Sequence, residues 1–211
     1  MNFLLSFIRE KESIGALIDQ MVRPALCIKS TWTPLDGYIE SNVNSISEEE
    51  FSSIFLTKTT VFSAYPAYIP LTEQNKKLSG RWKAQPFGSQ KPPDFMGFEA
   101  IREKLFVFYV ECKSSKTNKA TWNCSLPVPS LHVIYPFFNT TNKQLSICSG
   151  IDLISSADYE ALKKVMPVIR EKNTTSHLST DWNLYLRPMW CTNKIHPDNT
   201  LQILEYLNGL K

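Results

Sequence analysis

Glycine is scarce in this chain, seven residues against thirteen prolines, so its connections are expected to be stiff and extended. Cysteine is sparse and shows no pairing pattern. Cys27, Cys112, Cys124, Cys148 and Cys191 are odd in number, widely spaced and contain no CxxC, which excludes a zinc ribbon and a complete disulfide framework. A reducing compartment follows, and the expected location is the cytoplasm. No segment approaches the roughly 18 apolar residues of a membrane span. The apolar start from Met1 to Ile8 has no basic n-region and meets Arg9, Glu10, Lys11 and Glu12 too early for a secretory h-region. The glycosylation-like triplets at Asn123, Asn139 and Asn173 are then chance matches. Charge of one sign is also lacking: a net +3 permits a polyanionic partner without demanding one.

What is present is ordinary globular material, 43% hydrophobic and 20% charged over 211 residues, enough for a substantial core. A single domain is expected over 1–211, with a helical N-terminal part to about 58, a central core of about 59–150 and a C-terminal part of about 151–211. Apolar residues recur at helical spacing from Phe3 to Val22, with Pro24 as the stop. Ser47 and Glu50 read as a capping box opening a second helix whose stripe is Phe51, Ile54 and Phe55. Thr60 to Pro70 reads as extended, and Glu73 to Pro93 as a polar connection.

Leu105 to Lys113 is the strongest strand, since Phe106 to Val110 are β-favouring and apolar on both faces, as a central strand requires. Leu131 to Phe138 and Leu145 to Cys148 form a hairpin around Asn139 to Asn142. Ser155 or Ser156 caps a helix carrying Ala157, Leu162 and Val165, with Pro167 as a kink or an end. Asn183 to Arg187 reads as a strand, and Asp198 to Leu207 as a last helix closed by Gly209. Mixed strands flanked by helices, without regular βα alternation, predict an α/β fold on a mixed β-sheet core.

The chemistry concentrates in Gly88-Ser89-Gln90-Lys91-Pro92-Pro93-Asp94-Phe95 and in Tyr109-Val110-Glu111-Cys112-Lys113-Ser114. Strand alternation puts Glu111 and Lys113 on one face and Cys112 on the other. Asp94 joins them if its segment pairs with this strand as a hairpin. Two convergent carboxylates are hard oxygen ligands suited to magnesium. With an added lysine, they supply the parts for metal-assisted phosphodiester hydrolysis, the lysine holding the attacking water and offsetting transition-state charge.

Pro93-Asp94 followed by Glu111-Cys112-Lys113 resembles the PD-(D/E)xK nuclease signature, in a setting similar to the type II restriction endonucleases. Gly88-Ser89-Gln90 resembles that family's DNA-approaching loop, and Lys113-Ser114-Ser115 and Trp122-Asn123-Cys124-Ser125-Leu126-Pro127 resemble its sequences beyond the lysine. The likeness covers roughly residues 80 to 150, with Leu186 to Trp190 as an outlying piece. It implies a restriction-endonuclease-like mixed sheet and a magnesium-dependent site with Asp94, Glu111 and the Cys112 carbonyl as ligands. It also implies a homodimer and a short, often palindromic target in double-stranded DNA. A helix-borne glutamate near the metal is a further implication, with Glu48, Glu49 and Glu50 as candidates; the bland alternative is acids suiting a helix N-terminus.

Ser89, Gln90, Lys116, Asn118, Lys119 and Asn123 are the candidate DNA contacts, or else solvated loop residues. Trp122 is either a contact or a core plug, and Arg187 and Trp190 are weaker contact candidates. His132 reads as structural, and Cys112 as packing, with no basic partner to activate its thiol.

Overall fold

The computed structural model describes residues 45–88, 91–123, 125–142, 144–168, 189–191 and 195–210. In chain order the elements are helices α1 (Glu48–Ile54) and α2 (Lys58–Phe62), strand β1 (Tyr68–Pro70), a 3₁₀ turn at Lys76–Leu78, and strands β2 (Trp82–Ala84), β3 (Phe95–Ile101), β4 (Lys104–Val110), β5 (Lys113–Ser115), β6 (Thr121–Asn123), β7 (Val133–Asn139) and β8 (Gln144–Ser149). Helices α3 (Gly150–Leu153) and α4 (Ser156–Lys163), strand β9 (Met189–Cys191) and helix α5 (Thr200–Gly209) follow. The expected helix over Phe3 to Val22 and strand over Asn183 to Arg187 lie outside the described residues.

Seven strands form one mixed sheet. β2, β3 and β4 are an antiparallel meander, β7 runs parallel to β4 and to β5, and β8 closes the β7 hairpin. β4 and β5 follow one register against β7, Val110 beside Ile134 and Lys113 beside Phe137, so they are one strand path opened at Glu111 and Cys112. Proline explains the opening. In a regular parallel ladder the Glu111 N–H binds Ile134 O, as it does here at 3.0 Å, and the Glu111 carbonyl would accept from residue 136. Pro136 has no N–H to give.

Alternation along the strands sorts the core into two faces. Phe108, Val110, Cys112, Ile134 and Ile147 pack with Ile203 and Leu207 of α5. Met96, Phe98, Val107, Tyr109, Tyr135 and Phe137 pack with Phe51, Phe55 and Phe62 of α1 and α2. α5 is further held by His132, whose Nε2 lies 2.5 Å from the Tyr206 hydroxyl and whose Nδ1 lies 3.2 Å from Val107 O. The structural reading of His132 accords with this.

Several expectations need correction. The helix Lys58–Phe62 takes in Thr60 to Phe62, where extended chain is expected, because Phe62 is drawn into the aromatic cluster of Phe51, Phe55 and Phe98. The expected polar connection from Glu73 to Pro93 contains β2, too short to show alternation and held by pairing with β3. The Ser47 hydroxyl caps α1 at the Glu50 N–H, 3.1 Å, but the Glu50 carboxylate turns to Arg81 rather than back to the cap. The last helix starts at Thr200 and takes Gly209 into its final turn.

Candidate functional site

The site sits where the β3–β4 hairpin meets the opening in the strand path. Phe95 pairs with Val110, so one step further along the same antiparallel register Asp94 stands opposite Glu111, on the face that carries Met96 and Tyr109. Lys113, two residues beyond Glu111, shares that face, while Cys112 points into the α5 layer and is buried. The sequence thus brings Asp94, Glu111 and Lys113 together as expected.

Each group is held. Asp94 Oδ2 accepts from the Cys112 N–H at 2.7 Å, and its carbonyl accepts from the Gln85 N–H at 2.6 Å. An extended residue's N–H and C=O project to the same strand edge, so the Cys112 carbonyl lies on the Asp94 side. Lys113 Nζ donates to Glu111 Oε1 at 2.5 Å, and the two side chains are only 15% and 12% exposed. Glu111 Oε2 is buried and has no hydrogen-bond partner among the described residues. A half-satisfied buried carboxylate is costly, so its persistence points to a ligand.

Electrostatics agree. Burial pushes the Asp94 carboxyl up, against the Cys112 N–H and the Lys113 charge, which pull it down. Burial also pushes Glu111 up, Lys113 opposes this, and the negative charge of Asp94 adds to it. Two buried carboxylates, the Asp94 charge raising the proton affinity of Glu111, with one lysine paired to Glu111, leave a negative charge that a divalent cation would neutralise. The donors are hard oxygens, a fit for magnesium, which keeps part of its water shell and takes few protein ligands. Among the described residues no three His, Cys, Asp or Glu side chains converge as a cage, so the two carboxylates and the Cys112 carbonyl would be the whole protein donor set.

No protein-family model, curated protein or solved structure matches this chain. The geometry therefore stands alone.

The N-terminal glutamates do not join the pair. Glu49 is exposed, Glu50 is gripped by Arg81 at 2.6 and 2.8 Å, and Glu48 pairs with Lys58 and Lys83. Of the candidate DNA contacts, Lys116, Asn118 and Lys119 lie on an exposed loop beyond β5. Asn118 has structural duties there: its carbonyl accepts from His196 N–H at 2.7 Å and its side-chain oxygen from buried Asn139. Asn123 pairs with Met189, and Trp122 with Trp190, in a two-stranded ribbon of β6 and β9. Trp122 is 3% exposed and belongs to the core, as the plug reading had it. Ser89, Gln90 and Arg187 lie outside the described residues. Sequence reasoning missed Pro136, readable in retrospect as a proline inside a strand pattern, and Tyr65, which no motif marks.

Proposed function

We propose that this chain is a magnesium-dependent endonuclease of the PD-(D/E)xK type that hydrolyses phosphodiester bonds in double-stranded DNA, acting at a short, palindromic sequence as a type II restriction enzyme. The observation that carries the reading is the register that sets Asp94 against Glu111, with Lys113 on the same face and one Glu111 oxygen buried without a partner. A mixed sheet with the acidic pair at the opening in its central strand path also supports a restriction-endonuclease-like fold.

Asp94, Glu111 and the Cys112 carbonyl would hold the cation, and the Cys112 N–H keeps the Asp94 carboxylate aimed. Magnesium bound there supplies Lewis-acid polarisation of the phosphate and acidifies the attacking water. Lys113, tethered to Glu111, orients that water and offsets negative charge as the phosphorus becomes five-coordinate. Pairing of two copies about a two-fold axis would set one site on each strand of a symmetric target.

The test is incubation of purified protein with phage and plasmid DNA, with magnesium or with chelator, beside an Asp94→Ala variant. Discrete fragments that require magnesium and vanish in the variant are expected. Cutting confined to nicked or branched DNA would make it a structure-specific repair nuclease instead. Binding with no turnover on any DNA would sink the enzyme reading in favour of a DNA-binding module.

A further inference from the structure

The site as described meets its substrate with a single cation, Lys113. A phosphodiester presents anionic oxygens, yet the Lys113 ammonium is paired with Glu111 and the Cys112 N–H with Asp94. Within reach of the Glu111 charge is Tyr65, in the turn between α2 and β1. Its ring stands edge-on to Tyr109, centroids 4.9 Å apart, and Tyr109 precedes Glu111 by two residues on the same face. The Tyr109 hydroxyl donates to Pro66 O at 3.0 Å, which anchors this turn to the strand that carries the site.

Two features set Tyr65 apart. Its backbone lies at φ 51°, in a turn closed by its own N–H on Phe62 O at 3.0 Å. That left-handed position just past a helix is where glycine or asparagine is favoured, and a bulky residue is strained there. Strain of this kind persists where function requires the side chain. Moreover, Tyr65 is half-buried, and among the described residues its hydroxyl has no hydrogen-bond partner. Burial holds the phenol's proton affinity high, and the Glu111 charge reinforces this, so the group is an O–H donor at neutral pH. The other left-handed non-glycine residues have local reasons: Arg102 turns the β3–β4 hairpin, and Gln85 ends β2.

We infer that Tyr65 is a substrate-contacting residue, its phenol O–H donating to a non-bridging oxygen of the phosphate held before Asp94, Glu111 and Lys113. The inference rests on the nuclease reading above. It assigns to the α2–β1 turn a neutral donor that works beside the Lys113 ammonium.

The experiment is single-turnover cleavage of the DNA that the wild-type chain cuts, comparing wild type, Tyr65→Phe and Asp94→Ala, with each phosphorothioate diastereomer at the scissile bond as probe. Tyr65→Phe keeps the ring against Tyr109. It should melt as the wild type does, keep the magnesium-induced rise in melting temperature, and cut about 10- to 100-fold more slowly, the loss expected for one hydrogen bond to a charged group. One diastereomer should slow the wild type and slow Tyr65→Phe no further, because the same contact is already gone. Cutting by Tyr65→Phe at the wild-type rate would overturn the inference alone, provided that Asp94→Ala is dead. A fall in melting temperature that tracks the fall in rate would overturn it too, by making the hydroxyl structural. No cutting by the wild type would remove the nuclease reading and this inference with it.

Discussion

Replacing Asp94 by Asn should make the metal-free protein more stable while it destroys the site. The change is isosteric and leaves an acceptor for the Cys112 N–H, 2.7 Å away in the native chain. What it deletes is one of two buried negative charges. Cross-strand neighbours stand about 5 Å apart, and two unit charges at that distance interact by about 3 kcal/mol at an effective dielectric constant near 20. Lys113 attracts the same charge and gives back part of that sum, so a net gain of about 1–2 kcal/mol remains. For a chain of this size that corresponds to a rise of about 3–6 °C in melting temperature. The gain should be largest at neutral pH. Burial raises both carboxyls, so stability present at low pH is lost as pH rises through the ordinary carboxylate range and the folded pair must ionise.

Magnesium should act unequally on the two proteins. At tenfold excess over its dissociation constant it stabilises the wild type by about 1.4 kcal/mol, and the Asn variant by much less. Calorimetric or fluorescence melting in chelator and in magnesium measures both effects. A variant that melts below the wild type in chelator, or that gains as much from magnesium, would refute the idea that Asp94 and Glu111 are a repelling pair relieved by a cation.

Gly150 opens α3 against the loop before β7, and a Cβ built on it would lie 1.6 Å from Val128 O and 3.0 Å from Ser130 N, both backbone atoms. Gly150→Ala should therefore cost more than about 3 kcal/mol, and wild-type melting of that variant would refute the contact. Burial holds His196 down to about 4, against the Pro197 carbonyl and the charges of Asp198 and Asp152. Below its ordinary 6.5 the unfolded chain takes up a proton that the folded chain refuses until about pH 4. Stability present above neutrality thus drains away on acidification, by about 2 kcal/mol at pH 5. His196→Gln should flatten that decline in metal-free melting between pH 7 and pH 5, and an unchanged slope would count against it.

Legibility in the sequence followed the range of the forces involved. The Phe106 to Val110 run declares a buried strand by composition, and the Asn139 to Asn142 turn declares its hairpin; both are found. Thr60 to Phe62 reads as extended because Thr60, Val61 and Phe62 carry β propensity, which packing of Phe62 on Phe51, Phe55 and Phe98 overrides. The ribbon of β6 and β9 pairs Trp122 with Trp190 across a long sequence separation, and no local pattern announces such a partnership. The same distance hid the fate of Glu50. Its place at a helix N-terminus was legible, but its bidentate hold on Arg81, 31 residues away, was not.

Pro136 joins these two lessons. A proline inside a buried central strand violates the local rule for sheets, because it removes a ladder hydrogen bond. All seven residues of β7 are buried, so the violation is not hidden at an edge. Yet the missing N–H falls at the one step where the neighbouring strand path opens, beside the Glu111 carbonyl. A regular ladder there would bind Glu111 to β7 by both its N–H and its C=O, as its neighbours are bound. With proline in place the Glu111–Cys112 link is held on that side by a single bond, Glu111 N–H to Ile134 O. Its other edge is tied to Asp94 through the Cys112 N–H. Local rules give way where a site requires it, and here the breach lies within the span between the two carboxylates and the lysine.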